Sequence, residues 1–165
     1  MNDAADLPRS ELAESIERLD EMPGFLEAAL DAVPPDEVLS RPAVGEFSLV
    51  EQACHLRDLE REAYLVRVRR MLSETLPTLE NFDGVAVANA RNYMTQDARI
   101  AAQEFAAARR ELTAMLAAMR PGDLERQAIF DDKRITLREF VAMMEAHDRG
   151  HRDEIERLIE ALEDL

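Results

Sequence analysis

The sequence predicts an all-α fold, a four-helix bundle, on three observations. Among 165 residues there are only five glycines and seven prolines, while Ala, Leu, Glu and Arg are abundant, a composition of long helices rather than of a sheet with many turns. Four segments space their apolar residues three and four apart, which turns one helix face toward a core. Two of these segments open with a capping box, Ser48 with Glu51 and Thr136 with Glu139. In such a pair a hydroxyl and a carboxyl three residues apart satisfy the first free amides of the helix. The length suits a single domain over residues 1–165, with 1–8 a flexible N-terminus. Trp is absent and aromatics are 5% of the chain, so Leu, Ala, Val and Met must fill the core, with Met as the adaptable gap-filler.

The first helix is expected from about Ser10, its N-cap, to Ala32, with a kink or break at Pro23–Gly24. Residues 33–48, "VPPDEVLSRPAVGEFS", hold three prolines and a glycine and read as a connector. The second helix starts after Ser48, carries Leu49, Ala53, Leu56, Leu59, Ala63 and Val66 on one stripe, and ends before Pro77. Residues 77–97 are irregular and long for a bundle joint, which makes them candidates for lining a pocket. The third helix is expected from about Gln96 to Met119, with Ile100, Phe105, Leu112, Met115 and Met119 near one side, and "RPGD" stops it. "DDKR" at 131–134 marks a turn, and Thr136 then caps the last helix. The unequal joints require at least one crossover connection rather than hairpins alone.

The charge balance removes several function classes. A net charge of −15 repels phosphate backbones, so no nucleic-acid partner is expected. The basic run "RVRR" at 67–70 reads as the cationic face of a helix. Cys54 is the only cysteine, so no intrachain disulfide can form. The acidic opening "MNDAADLPRSELAE" has no apolar run, and no stretch approaches the ~20 apolar residues of a membrane span. A cytoplasmic protein with no membrane partner is expected.

Of three histidines, two lie one helical turn apart in "AHDRGH", 146–151. On a helical wheel Met144, His147 or Asp148, His151, Ile155 and Leu158 follow the buried seam, so both rings face the core. His55 lies at the edge of the second helix's apolar stripe, and a bundle can bring it against that pair. Three imidazoles on rigid helices can bind a divalent ion and leave positions for water and substrate. Alternatively, a buried pair of histidines is satisfied by hydrogen bonds to Asp58, Glu145 or Asp148. Gly150, between the pair, could admit a neighbouring helix or a ligand. "HDRGH" has the two-His spacing of a zinc-peptidase helix, but Asp148 is one methylene shorter than the glutamate that such a motif uses as base. Cys54 points about 100° away from His55 and reads as a small core residue.

The stretches "GEFSLVEQACHLRDLE" (45–60) and "TLREFVAMMEAHDRGHRDEIERL" (136–158) resemble the DinB-like superfamily, the bacterial DinB/YfiT group of metal-binding four-helix bundles. "ARNYMTQDARIAAQEFAAARRELTAML" (90–116) is similar to its third-helix region. The resemblance runs from about residue 8 onward and rests on a "S-L-x-E-x-x-x-H-L" helix start followed by a late "H-D-x-x-H". It implies that His55, His147 and His151 bind a divalent metal; the ligand chemistry of imidazole nitrogen points to zinc or nickel first, with manganese or iron next. It also implies an up-down-down-up bundle with a long crossover, often a homodimer. Relatives include thiol-cofactor-dependent S-transferases and a mycothiol-dependent isomerase. The expectation is therefore a metal-dependent enzyme acting on a small molecule, with a low-molecular-weight thiol as a further cofactor. The alternative is a non-catalytic metal-binding or dimerisation bundle of stress-related role. Phe47 stands where the family commonly has Trp. Asp58, Glu60 and Asp148 are candidates for orienting the metal-bound imidazoles, and Tyr93, with Arg91 and Asn92, for lining the pocket.

Overall fold

The computed structural model describes residues 7–164, with side chains from Glu11 onward. Most of the proposed flexible N-terminus therefore lies outside the described residues. Helix α1 spans Leu7–Ala32, so Ser10 sits inside the helix rather than capping it. The expected break at Pro23–Gly24 does not occur. Proline has no amide hydrogen, which frees the carbonyl four residues back, that of Leu19. The Arg109 guanidinium donates to that oxygen at 2.8 Å, and the helix runs on.

After the connector, Ser48 caps helix α2, Leu49–Leu59, with both halves of the capping box formed. All eleven residues of α2 are buried, among them Glu51, Gln52, His55, Arg57 and Asp58. A helix buried on every side is normally apolar all round. Polar residues there must be tied to partners or serve a site.

The second long helix is interrupted where the sequence predicts a continuous one. A π turn at Glu60–Tyr64 separates α2 from α3, Leu65–Ser73. The wide turn shifts the phase of the apolar stripe, so Leu65, Val68 and Met71 are buried and Val66 faces outward. Such π turns concentrate at functional sites.

The joint before the third long helix contains a strand, β1 (Thr78–Leu79), and helix α4 (Gly84–Arg91), capped by Asp83 and ended by left-handed Asn92. A 3-10 turn at Tyr93–Thr95 leads to α5, Ala98–Ala117. Asp97, rather than Gln96, caps α5 by accepting from the Arg99 and Ile100 amides at 2.8 and 3.0 Å. Ile100, expected inward, is exposed.

A second difference from the predicted all-α fold follows. Strands β2 (Gln127–Phe130) and β3 (Lys133–Thr136) form an antiparallel hairpin, and β1 adds to β2 in parallel. Asp131 and Asp132 both have positive φ, 50° and 58°, as a two-residue hairpin turn requires. The "RVRR" run anchors this small sheet. Arg67 donates to the Glu80 carbonyl and lies over the Phe130 ring, and Arg70 donates to the Thr78 carbonyl. Thr136 then caps α6, Leu137–Glu163, with its capping box complete.

The four long helical segments pack as a bundle. Arg57 meets Glu104, Glu60 meets Arg109 and Arg69 meets Glu111 between the α2–α3 segment and α5. Glu11 meets Arg138, Arg18 meets Glu145 and Glu21 meets Arg152 between α1 and α6. The core falls into two apolar clusters. One holds Met22, Leu56, Phe105 and Ile155, and the other Leu19, Leu59, Ala108 and Met144. Along α6, the gap between Met144 and Ile155 contains His147, Asp148 and His151, so a polar layer divides the bundle interior. Among the described residues no helix is long and apolar enough to cross a membrane.

Candidate metal centre

His55 projects from the middle of α2, and His147 and His151 project from one face of α6. The structure brings all three rings together, each offering a nitrogen within 4.8 Å of the others. The Nε2 atoms of His147 and His151 approach to 3.3 Å. The His55 ring centroid lies 4.9 Å from that of His151 and 6.0 Å from that of His147. Phe47, Phe82 and Tyr64 wall the group, with centroids 5.7 to 6.2 Å from the nearest imidazole.

Burial sets the charge of this cluster. It pushes His55 down to about 4 and His147 down to about 3, and the neighbouring His151 adds to both shifts. Both rings are neutral at pH 7 and keep a lone pair for a ligand. The Nδ1 atoms of His55 and His147 are buried without a hydrogen-bond partner. Orphaned buried polar atoms are rare in folded proteins. The three converging rings, each offering one nitrogen, fit a divalent ion, which takes neutral imidazole nitrogens.

His151 is held by a device absent from the sequence-based expectations. Its Nδ1 lies 2.8 Å from Gln52 Oε1 and 3.1 Å from Glu154 Oε2. The Gln52 amide nitrogen donates to Glu154 Oε2 at 2.8 Å. The hydrogen bond from His151 holds the Glu154 carboxyl down at about 2, so it only accepts. Glu154 therefore fixes the amide with its nitrogen toward the carboxylate and its oxygen toward the ring. Both acceptors therefore call for a hydrogen on His151 Nδ1, and Nε2 is the ring nitrogen that faces His147. This is the orientation that a metal-bound histidine needs.

Gly84, the first residue of α4, fixes His55 by close approach. A Cβ at Gly84 would lie 2.6 Å from His55 Cε1 and 2.8 Å from Nδ1. Gly150 plays no such part, since a Cβ there would meet nothing within 4 Å. The glycine with a packing reason lies in the irregular joint and not between the two histidines.

The carboxylates expected to orient the imidazoles hold arginines and a tyrosine instead. Asp58 accepts from Tyr93 Oη at 2.6 Å and Arg57 Nε at 2.7 Å, and pairs with Arg91 at 2.9 Å. Glu60 and Asp148 both grip Arg109, which is 1% exposed. Its Nε donates to Glu60 at 2.7 Å and its Nη1 to Asp148 at 2.6 Å. Burial opposes the Arg109 charge, but these two carboxylates hold its pKa above the ordinary arginine value. Tyr93 is buried in the core as the Asp58 partner and does not line the cleft at His151. Cys54 packs in the core, and burial pushes its thiol up to about 11.

The cluster opens on one side. His151, Gln52 and Glu154 line a cleft of about 260 Å³ whose other walls include Phe47, Val85 and Arg157.

Comparison with known proteins agrees with this geometry. The family model described as the DinB superfamily matches residues 18–155, a span that contains all three histidines. YfiT from Bacillus subtilis, described as a probable metal-dependent hydrolase with an unusual four-helix bundle topology, superposes with a TM-score of 0.83 at 20% identity. The match covers 90% of this chain and 86% of that one. At that identity the likeness establishes the fold. No curated protein matches the chain. The family match over most of the chain, on a bundle that brings His55, His147 and His151 together, makes this protein a member of the DinB superfamily.

Proposed function

We propose that the chain is a metal-dependent enzyme acting on a small molecule, with His55, His147 and His151 holding one divalent ion beside the cleft. One observation carries this reading. Two buried imidazoles and one half-buried imidazole converge with no carboxylate in the group, and one of them lines an open cleft. A carboxylate completing the set would favour a closed structural site, whereas an all-imidazole set leaves positions for water and substrate. The non-catalytic alternative is disfavoured on the same ground. A divalent ion bound there lowers the pKa of a thiol or water that it coordinates, so that thiolate or hydroxide is available near neutral pH. The chain's own residues prepare the site. Burial keeps His55 and His147 neutral, Gln52 and Glu154 orient His151, and Phe47, Phe82 and Tyr64 wall the rings.

The leading reaction is S-transfer or isomerisation dependent on a low-molecular-weight thiol, as the family resemblance implies. The description of YfiT favours a second reading, hydrolysis with water in place of the thiol. Zinc or nickel is the proposed metal, since imidazole nitrogen suits both. A single domain, a homodimer and a cytoplasmic location complete the proposal. An up-down-down-up order is supported by ion pairs that advance in the same chain direction between the α2–α3 segment and α5, and between α1 and α6.

The test is elemental analysis of protein purified without a metal-affinity column, alongside His147→Ala. About one divalent ion per chain, lost in the variant with helicity intact, supports the site. Turnover of an electrophile that requires an added thiol selects transfer, and turnover without one selects hydrolysis. No metal taken up from zinc, nickel or manganese at pH 7.5 would refute the proposal.

A further inference from the structure

Positive charge is scarce in this chain, with 20 Lys and Arg against 35 Asp and Glu. A guanidinium therefore finds a carboxylate almost wherever it lies. Among the described arginines only Arg110, Arg149 and Arg157 have side chains without a hydrogen bond or ion pair, and of these Arg157 lines the cleft at His151. It is exposed at the rim. Glu154, three residues before it on α6, bonds to His151 and Gln52 and feels the Arg157 charge without forming an ion pair with it. Arg157 follows His151 by six residues, about 9 Å along the helix axis.

Apolar residues also border the cleft. Phe47 and Val85 line it, and Val85 is 63% exposed in the first turn of α4. The volume, about 260 Å³, falls below the ~300–1,000 Å³ of sites that hold drug-sized ligands. Glu46 and Glu154 also border the cleft, and they repel a dianion such as phosphate more strongly than the single charge of a carboxylate held on Arg157. A planar guanidinium fork matches a carboxylate through two parallel hydrogen bonds.

We propose that Arg157 is a substrate-binding residue and that the substrate is a small monocarboxylate with an apolar body. The carboxylate sits on Arg157, the apolar part covers Phe47 and Val85, and the reacting end points to His151. This deepens the proposed function and rests on His151 belonging to the reacting centre.

The test uses full-length protein offered zinc, with benzoate and its uncharged analogue benzamide as probes, followed by calorimetry or ligand-observed NMR. Wild type is expected to bind benzoate at least tenfold more tightly than benzamide. Arg157→Gln should lose that preference, and Arg157→Lys, which keeps the charge without the fork, should fall between. Zinc content should be the same in all three proteins, because Arg157 lies outside the imidazole cluster. Equal benzoate affinity in wild type and Arg157→Gln, or no benzoate binding to wild type, would overturn the inference. Failure of wild type to hold zinc would instead refute the metal reading, while Arg157-dependent benzoate binding in that same sample would still support the carboxylate site.

Discussion

Replacing Arg109 with Met should be among the most damaging single changes available to this fold. The guanidinium makes five hydrogen bonds: two to Glu60 at 2.7 and 3.0 Å, two to Asp148 at 2.6 and 3.1 Å, and one to the Leu19 carbonyl at 2.8 Å. Met fills similar volume but leaves the carboxylates buried and uncompensated, which costs about 3–5 kcal/mol for a broken buried pair. An orphaned carbonyl adds about 1–3 kcal/mol. The two losses share relaxation, so a net loss of about 4–6 kcal/mol is expected at pH 7, against the ~5–15 kcal/mol that holds a typical domain folded. Urea unfolding followed by helical circular dichroism measures it.

A second substitution isolates the carbonyl. Pro23→Ala restores the amide hydrogen that Leu19 lacks, so it should stabilise Arg109→Met by about 1–2 kcal/mol more than it stabilises wild type. The loss should also shrink toward pH 5. Burial raises the Glu60 carboxyl and Arg109 opposes it. Without Arg109 that group protonates more readily in the folded state, and a raised folded pKa favours folding as pH falls. A loss under about 1 kcal/mol, or an equal effect of Pro23→Ala in both backgrounds, would refute this account of the polar layer.

Three further outcomes concern the histidines. Gln52→Leu removes the nearer of the two acceptors at His151 Nδ1, and should weaken zinc binding by about 10–100-fold with little change in helicity; unchanged affinity in a competition titration would show that Glu154 alone orients the ring. Gly84→Ala forces the His55 ring aside and should also weaken zinc binding, whereas Gly150→Ala should leave it intact, which the same titration can compare. In EDTA, stability should fall as pH drops from about 6.5 toward 4, because the unfolded chain gains protons that the buried His55 and His147 refuse. Urea midpoints that rise over that range would contradict the neutral, buried state of these rings.

The bundle and its three histidines are legible in the sequence because both rest on local periodicity. Capping boxes at Ser48 and Thr136 and the i,i+4 pair on the core face of α6 need only residues within one or two turns. The partners Gln52 and Glu154 were within reach of the same logic, lying three residues before His55 and three after His151. What was not legible depends on contacts far apart in sequence. Nothing near Pro23 indicates that Arg109 will take the Leu19 carbonyl and keep α1 unbroken. Gly84 has meaning only once the irregular joint folds back on α2. The β2–β3 hairpin is not legible for another reason: its strands have four residues each, too short for alternation to stand out, and Asp-Asp is a weaker turn signal than Asn-Gly or Asp-Gly.

The polar layer separates two tasks that a metal site in a bundle core must meet together. Putting charged and imidazole groups between two apolar clusters weakens the core, and only a well-satisfied network limits that cost. Arg109 meets this need by joining α1, α5, α6 and the π turn through Leu19, Glu60 and Asp148; it hydrogen-bonds to none of the three imidazoles and acts on His147 only through its charge. Gln52, Glu154 and Gly84 orient the rings, and they lie outside that network. Stability and metal affinity are thus carried by different residues. Glu60→Gln should lower the first through the loss of a buried charge partner while sparing the second in the fraction that remains folded, and Gln52→Leu should do the reverse. If both variants moved both quantities together, the layer would be one cooperative unit, and the tautomer argument for His151 would lose its independent support.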